Sequence, residues 1–439
     1  MNRLDWSSQP GQPLRGSVRV PGDKSISHRA LMLAAVAEGE SRIRGFLEGE
    51  DTRATAAVLS QLGVRIEAPA VGERRVYGVG LHGLRGSSQP LDCGNAGTGM
   101  RLLTGLLAGQ AFDSTLVGDA SLSKRPMRRV TDPLTQMGAR IDTQGGLPPL
   151  RVRGGQSLRG IRYELPVASA QVKSALLLAG LYGVGETEII EPHPTRDYTE
   201  RMLAAFGWRI AFAPGRATLA GGHTLRATDV DVPADFSSAA FFLVAASIVP
   251  GSELRLPAVG LNPRRTGLLQ ALRLMGADIA VENTRESGGE PVGDLIVRHA
   301  PLHGIELPEA LVPDMIDEFP ALFIAAAVAS GSTVIRGAAE LRVKESDRIE
   351  TMAAGLCSLG VSIEETPDGA IIHGGRIGAG TVETYLDHRI AMSFAVAGLV
   401  ASGPVRINDC GHVATSFPGF LELSNRCGFA LQIAAPASY

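Results

Sequence analysis

Lys24, Ser25, Ser27, His28 and Arg29 crowd into the stretch "GDKSISHR", immediately before the apolar run "ALMLAAVA". Two firm positive charges and two hydroxyls where a buried helix begins would suit a carboxylate or phosphate, since the first N–H groups and the helix dipole also favour an anion. The plainer reading is a serine N-cap with solvated basic neighbours. The pattern recurs, however: "CGNAGTGMR", "ASAQVK", "ADFSS", "MIDEF" and "LDHR" also stand just before apolar runs, and Arg101, Lys173 and Arg389 repeat the positive charge. Gly94, Gly97 and Gly99 around Asn95 and Thr98 allow backbone amides to approach a ligand. Asp317 and Glu318 are either helix caps or groups that move protons. "GDKS" is not a nucleotide phosphate loop, because Asp23 separates Gly22 from Lys24. Taken alone, "DASLSKRPMRR" (119–129) reads as a solvated loop and "ELRVKESDR" (340–348) as a salt-laced helix start.

The elements that must position these residues repeat along the chain. A short signature returns as "QLGVRI", "QMGARI", "AFGWRI", "LMGADI", "SLGVSI" and, more weakly, "RCGFAL", centred on Gly63, Gly138, Gly207, Gly276, Gly360 and Gly428. Each copy follows an amphipathic stretch and precedes β-branched or alternating residues, which predicts a helix, a glycine C-cap and a strand. Each repeat also carries a helix that is apolar nearly all round, from "HRALMLAAVAEG" to "RIAMSFAVAGLVASG", and such a helix has to be buried on every side. Six of them in two groups of three would form two cores. A solenoid fits less well, because the units are long and lack atypical caps.

The chain of 439 residues exceeds what one core usually supports, and two domains are expected. A net charge of -3 gives no field for nucleic acid or anionic lipid, so any anion site must be local. The opening "MNRLDWSSQPGQPLRG" has no signal-peptide core and the longest apolar runs are too short to span a bilayer, which predicts a cytoplasmic protein without a membrane partner. Cys93, Cys357, Cys410 and Cys427 lack zinc or disulfide spacing and read as reduced thiols. Cys410-Gly411-His412 is a poor metal motif, and neither metal nor cofactor is expected.

Nine segments occur together and in order: "GDKSISHRA", "GNAGTGMRLL", "LSKRPM", "ASAQVKSALLLAG", "TRDYTE", "MIDEFP", "RVKESDR", "LDHRIAM" and "ATSFPGF". In these the chain resembles, over nearly its whole length, the enolpyruvyl transferase family, and within it the branch that acts on shikimate 3-phosphate. The resemblance implies an α/β fold, a two-domain inside-out α/β barrel of six βαβαββ repeats, three per domain, closing over the substrates. The domains would be 1–21 with 236–439, carrying Asp317, Glu345 and Arg389, and an inserted 22–235, carrying Lys24, Arg125 and Gln171. It also implies a monomer that transfers the enolpyruvyl group of phosphoenolpyruvate to the 5-hydroxyl of shikimate 3-phosphate, releases phosphate, and is inhibited by glyphosate.

On the same resemblance, Lys24, Ser25 and Arg29 meet shikimate 3-phosphate. Ser169, the backbone of Ala170, Gln171 and Arg196 hold its phosphate and ring, while Asp317 and Lys344 reach its hydroxyls. Phosphoenolpyruvate lies against Lys24, Gly97, Arg125, Gln171, Arg348 and Arg389, arginine forks suiting its carboxylate and phosphate. The addition places one proton on the methylene carbon and removes one from the hydroxyl, and the elimination reverses both. Glu345 is the candidate donor to carbon, Asp317 the acceptor from the hydroxyl, and Lys24 the charge that stabilises the developing anion.

Glu340 and Leu341 depart from the best-known members, as does Thr415, and neither Glu340 nor Thr415 is carried into the site. "ASAQVKSA", "MIDEFP" and "RVKESDR" resemble the glyphosate-tolerant class, although that class commonly has alanine at the position of Gly97. The related transferase acting on UDP-N-acetylglucosamine typically carries a reactive cysteine in the loop equivalent to 119–129, and this loop has none. A non-catalytic binder of phosphorylated ligands is the other alternative, and the carboxylates among the arginines speak against it.

Overall fold

Helices alternate along the chain between two kinds, and the computed structural model, which describes residues 4–287 and 289–434, shows why. In order they are α1 (Lys24–Val36) and α2 (Glu50–Gln61), α3 (Gly97–Ala108) and α4 (Arg128–Gln136), α5 (Ala170–Gly180) and α6 (Tyr198–Ala205). There follow α7 (Phe236–Ile248) and α8 (Gly267–Leu274), α9 (Phe319–Val328) and α10 (Arg348–Ser358), α11 (His388–Gly398) and α12 (Phe420–Arg426). The odd-numbered helices lack a polar face and are enclosed; every residue of α7 is buried. The even-numbered helices keep exposed positions, as in α2 and α10.

Each even-numbered helix ends in the same way. Gly63, Gly138, Gly207, Gly276, Gly360 and Gly428 all take left-handed backbone, with φ between 80° and 118°. The next residue reaches back across the turn, as in Val64 N–H to Leu59 O (3.1 Å) and Trp208 N–H to Leu203 O (2.9 Å). These bonds satisfy carbonyls the helix leaves open, and glycine takes this backbone without a Cβ penalty. The chain then enters a strand.

Six sheets are found among the described residues, five of four strands and one of three. In one, Leu91–Asp92 runs parallel to Ser114–Val117, which pairs antiparallel with Leu147–Arg153, itself antiparallel to Arg140–Gln144. Three sheets use strands distant in sequence, one of them through Arg15–Ser17 parallel to Glu253–Gly260. Val230–Asp231 pairs parallel with Glu38–Arg44, and Trp6–Gln9 lies between Val405–Asn408 and Ala430–Ile433, antiparallel to both. Trp6 is fixed there by stacking on Phe420 with ring centroids 5.7 Å apart, a contact worth about 0.5–1.5 kcal/mol beyond burial.

The chain divides into two compact units, one of residues 1–21, 234–285 and 291–439, the other of 22–233 with 286–290. Ala234 and Asp235 belong to the first because Ala234 N–H bonds Ala258 O (2.9 Å) and Asp235 N–H bonds Pro21 O (2.8 Å). Each unit has its own hydrophobic core, built on α7, α9 and α11 in the first and on α1, α3 and α5 in the second. No helix among the described residues is long and apolar enough to cross a membrane.

Candidate active site

In the unit of residues 22–233 the starts of α1, α3 and α5 meet. Asp23, not a serine, caps α1: its Oδ1 accepts the Ile26 N–H at 2.8 Å. Ser25 is thereby left out of the capping role. Lys24 is the first helical residue, and its ammonium is paired with the carboxylate of Asp51 in the first turn of α2. Arg29 lies one turn further in and only 4% of it is exposed. It donates to Thr199 Oγ1 (2.7 Å), Ser25 O (2.9 Å) and Ser174 Oγ (2.8 Å). Burial first, and the nearby Arg196 charge second, bring its pKa down to about 10. Much of this guanidinium therefore serves to bolt α1 to α5 and α6.

Gly97 opens α3 between two guanidinium groups. A Cβ built there would stand 3.0 Å from Arg125 Nη1 and 3.2 Å from Arg101 Nη1. Arg125 is oriented by Asn95 Oδ1 (2.9 Å), and Asn95 is held by Asp119 Oδ2 (2.7 Å). The "DASLSKRPMRR" loop is thus tied to the start of α3 and is not merely a solvated basic stretch. Gln171 joins α3 to α5: its Oε1 accepts from Arg101 (2.8 Å) and its Nε2 donates to Thr98 Oγ1 (2.8 Å). Ser169 caps α5 by accepting from Val172 N–H at 3.4 Å, which leaves Ala170 as the first helical residue.

Lys173 corrects one expectation. It does not face an anion site but is 2% exposed, with Glu191 and Glu200 each 2.8 Å from its Nζ. Burial disfavours its charge, yet the two carboxylates more than compensate and its pKa is raised. Glu191 also accepts from the Thr195 hydroxyl, so this buried pair shapes the loop that carries the half-buried Arg196.

In the other unit the starts of α7, α9 and α11 carry the carboxylates. Asp317 and Glu318 stand just before Phe319, and neither caps α9 through its side chain. Asp317 Oδ2 lies 3.0 Å from Arg265 Nη1, while Oδ1 lies 3.7 Å from Arg348 Nη1 and 3.9 Å from Lys344 Nζ. Arg348 is 1% exposed and also donates to Glu345 Oε2 (2.6 Å) and Asp387 Oδ2 (2.8 Å). Asp387 caps α11 through the Arg389 N–H (2.9 Å), and Arg389 Nη1 reaches the Asp317 carbonyl oxygen at 3.1 Å.

The electrostatics follow from these distances. Burial alone would raise the Asp387 carboxyl, but the charge and hydrogen bond of Arg348, joined by His388, together hold the group below the usual range. Arg348, which burial alone would lower, is raised by Asp387 and Glu345. Burial lowers the Lys344 ammonium against the opposing pull of Asp317 and Glu340. Such a group gives up a proton more readily than an exposed lysine.

Sequence reasoning missed Asp51, Arg265 and Asp387. Asp387 directly precedes a helix and looks like a cap, which it is, but its second oxygen holds a buried arginine. Arg265 sits in "NPRRTG", where a basic pair before a helix suggests a solvated turn.

The family model described as EPSP synthase (3-phosphoshikimate 1-carboxyvinyltransferase) matches residues 8–423. A 3-phosphoshikimate 1-carboxyvinyltransferase of Xanthomonas campestris pv. campestris (strain B100) is 68% identical over 427 residues, covering 97% of this chain and 98% of the relative. That of Xanthomonas axonopodis pv. citri (strain 306) is 69% identical over 430 residues, covering 98% of both. Among solved structures, an EPSP synthase from Acinetobacter baumannii superposes with a TM-score of 0.90 at 52% identity, over 98% of this chain and 100% of that one.

Proposed function

The chain belongs to the EPSP synthase family, and from that membership we propose how its residues share the reaction. The activity is that of a 3-phosphoshikimate 1-carboxyvinyltransferase, in the route to chorismate and the aromatic amino acids: enolpyruvyl passes from phosphoenolpyruvate to the 5-hydroxyl of shikimate 3-phosphate, and phosphate leaves. In our reading, Lys24, Ser25, Ser169, the Ala170 N–H, Gln171 and Arg196 hold shikimate 3-phosphate. Arg29 fixes Ser25 and lends its remaining N–H groups. Asp317 and Lys344 reach the hydroxyls of this substrate. Arg125 and Gln171 beside Gly97, with Lys24, Arg348 and Arg389, hold phosphoenolpyruvate. Glu345 gives a proton to the methylene carbon, Asp317 takes one from the 5-hydroxyl, and the new C–O bond forms at the enol carbon. In the elimination Glu345 recovers a proton from the methyl group, and the proton on Asp317 leaves with phosphate.

The observation that carries this reading is that Asp317 and Glu345 lie on separate nitrogens of one buried guanidinium, that of Arg348. A carboxylate about 4 Å from a bound anion costs on the order of 4 kcal/mol at an effective dielectric of 20. A plain anion binder gains nothing from two of them, whereas an acid and a base need them. Phosphate release with both substrates tests the assignment; release with UDP-N-acetylglucosamine in place of shikimate 3-phosphate, or binding without release, would overturn it.

We further read the six sheets and their helices as six βαβαββ copies, three to a unit, of an inside-out α/β barrel. We read the enzyme as a monomer and place it in the cytoplasm. Glyphosate competes with phosphoenolpyruvate in this reading.

A further inference from the structure

We propose that Arg265 is a positioning residue that fixes the Asp317 carboxylate for proton transfer; this rests on the reading of Asp317 as the proton acceptor. Arg265 lies in the turn before α8, its own N–H bonded to Asn262 O at 2.8 Å, and only 5% of it is exposed. Its Nη1 is 3.0 Å from Asp317 Oδ2 and 3.5 Å from Glu318 Oε1. Its Nη2 contacts Ser237 Oγ and lies 3.7 Å from Asp235 Oδ1, and Ser237 Oγ in turn contacts Glu318. The guanidinium is therefore gripped by the start of α7 and by Glu318 before it touches Asp317.

This grip gives the two oxygens of Asp317 different surroundings. Oδ2 is taken up by the fixed fork, while Oδ1 is turned toward Lys344 and Arg348, which the reading above assigns to the substrates. A carboxylate held at one oxygen keeps the other aimed, and aim matters because small errors of placement cost large factors in rate. A planar guanidinium can face Asp317, Glu318 and Ser237 together, whereas a lysine ammonium is a point charge on a flexible stem. The competing possibility is that Arg265 only neutralises Asp235 and Glu318 inside the fold.

Steady-state kinetics of Arg265→Lys, Ser237→Ala, Asp317→Asn and the two double variants with Asp317→Asn separate these possibilities, with phosphate release as readout. Arg265→Lys should lower kcat by roughly 10- to 100-fold, with a much smaller change in the KM for shikimate 3-phosphate, whose hydroxyls Asp317 reaches, and the KM for phosphoenolpyruvate within about 2-fold. In the Asp317→Asn background the same change should alter kcat by less than about 2-fold, because there is no longer an acceptor to aim. Ser237→Ala, which loosens the grip without removing charge, should show a smaller loss with the same dependence on Asp317, and it carries the test if Arg265→Lys fails to fold. Unchanged kcat, a rise in KM alone, or losses that multiply in the double variants would overturn the positioning role. Normal turnover of Asp317→Asn would instead overturn the acceptor assignment, and the inference would fall with it.

Discussion

The Nε of Arg348 lies 2.8 Å from Oδ2 of Asp387, and both side chains are closed off from solvent. Removing one partner of such a pair leaves a buried charge uncompensated, so Asp387→Asn should destabilise the protein by about 3–5 kcal/mol. The Asp387 carboxyl is held below its unfolded value, chiefly by Arg348 acting against burial. Its stabilisation is therefore present above an unfolded pKa near 3.9 and is lost as pH falls through the lower folded value. Thermal melts between about pH 5 and pH 2 should show a steeper loss for wild type than for the variant; parallel curves would refute the linkage.

Lys24→Met should lower turnover by at least about 100-fold, the scale expected for a charge that acts in the transition state. It also strips Asp51 of its counter-ion, and Asp51 is buried, so the melting temperature should drop as well. Lys24→Met with Asp51→Asn should recover the stability and none of the activity. Recovery of turnover would show that the lysine serves the fold alone.

Asp317→Asn and Glu345→Gln should still bind shikimate 3-phosphate while turnover falls by about 100-fold or more, since proton transfer is lost and repulsion is relieved. Arg125→Ala and Arg348→Ala should raise the KM for phosphoenolpyruvate strongly. Binding calorimetry beside kinetics distinguishes the two classes.

Gly97→Ala should cost glyphosate roughly 1–3 kcal/mol, with a smaller loss for the shorter phosphoenolpyruvate. The added methyl meets the Nη1 atoms of Arg125 and Arg101 at 3.0 and 3.2 Å, and pushing these groups aside narrows the space beside them. Wild type is expected to be sensitive. Inhibition constants titrated against both enzymes decide, and a wild type that resists glyphosate far above its KM for phosphoenolpyruvate would mean that other residues set the tolerance.

Gly207→Ala and Gly360→Ala test the helix endings. Nothing lies within 4 Å of a Cβ at either position, so only the left-handed backbone opposes the change. The cost should be about 1–2 kcal/mol. Gly138→Ala should cost more, because its methyl would also stand 2.9 Å from Ser157 O. Chemical denaturation measures all three.

These glycines explain why so much of the fold was legible in the sequence. A left-handed residue after each outer helix demands glycine whatever the neighbours are, and an enclosed helix cannot afford a polar face, so both leave marks that tertiary context does not erase. Charge is less legible because its role depends on partners far away in the chain. Lys173 resembles Lys24 in its setting, yet it is claimed by Glu191 and Glu200, while Arg265 looks solvated and is buried. The arginines of "LSKRPM" and "RVKESDR" could be assigned only through resemblance, since their spacing alone suggested surface.

The strand Trp6–Gln9 imposes an order on folding during synthesis. Its two neighbours, Val405–Asn408 and Ala430–Ile433, leave the ribosome long after it. At about 5–20 residues per second, Trp6 therefore waits on the order of 20–80 seconds for a partner, while the unit of 22–233 is complete in sequence, apart from Glu286–Glu290, far earlier. The two tryptophans of the chain, Trp6 and Trp208, are buried in different units. On stalled nascent chains, Trp208 fluorescence should become native while Trp6 still reports water, so the strand Trp6–Gln9 finds its place long after the unit that follows it.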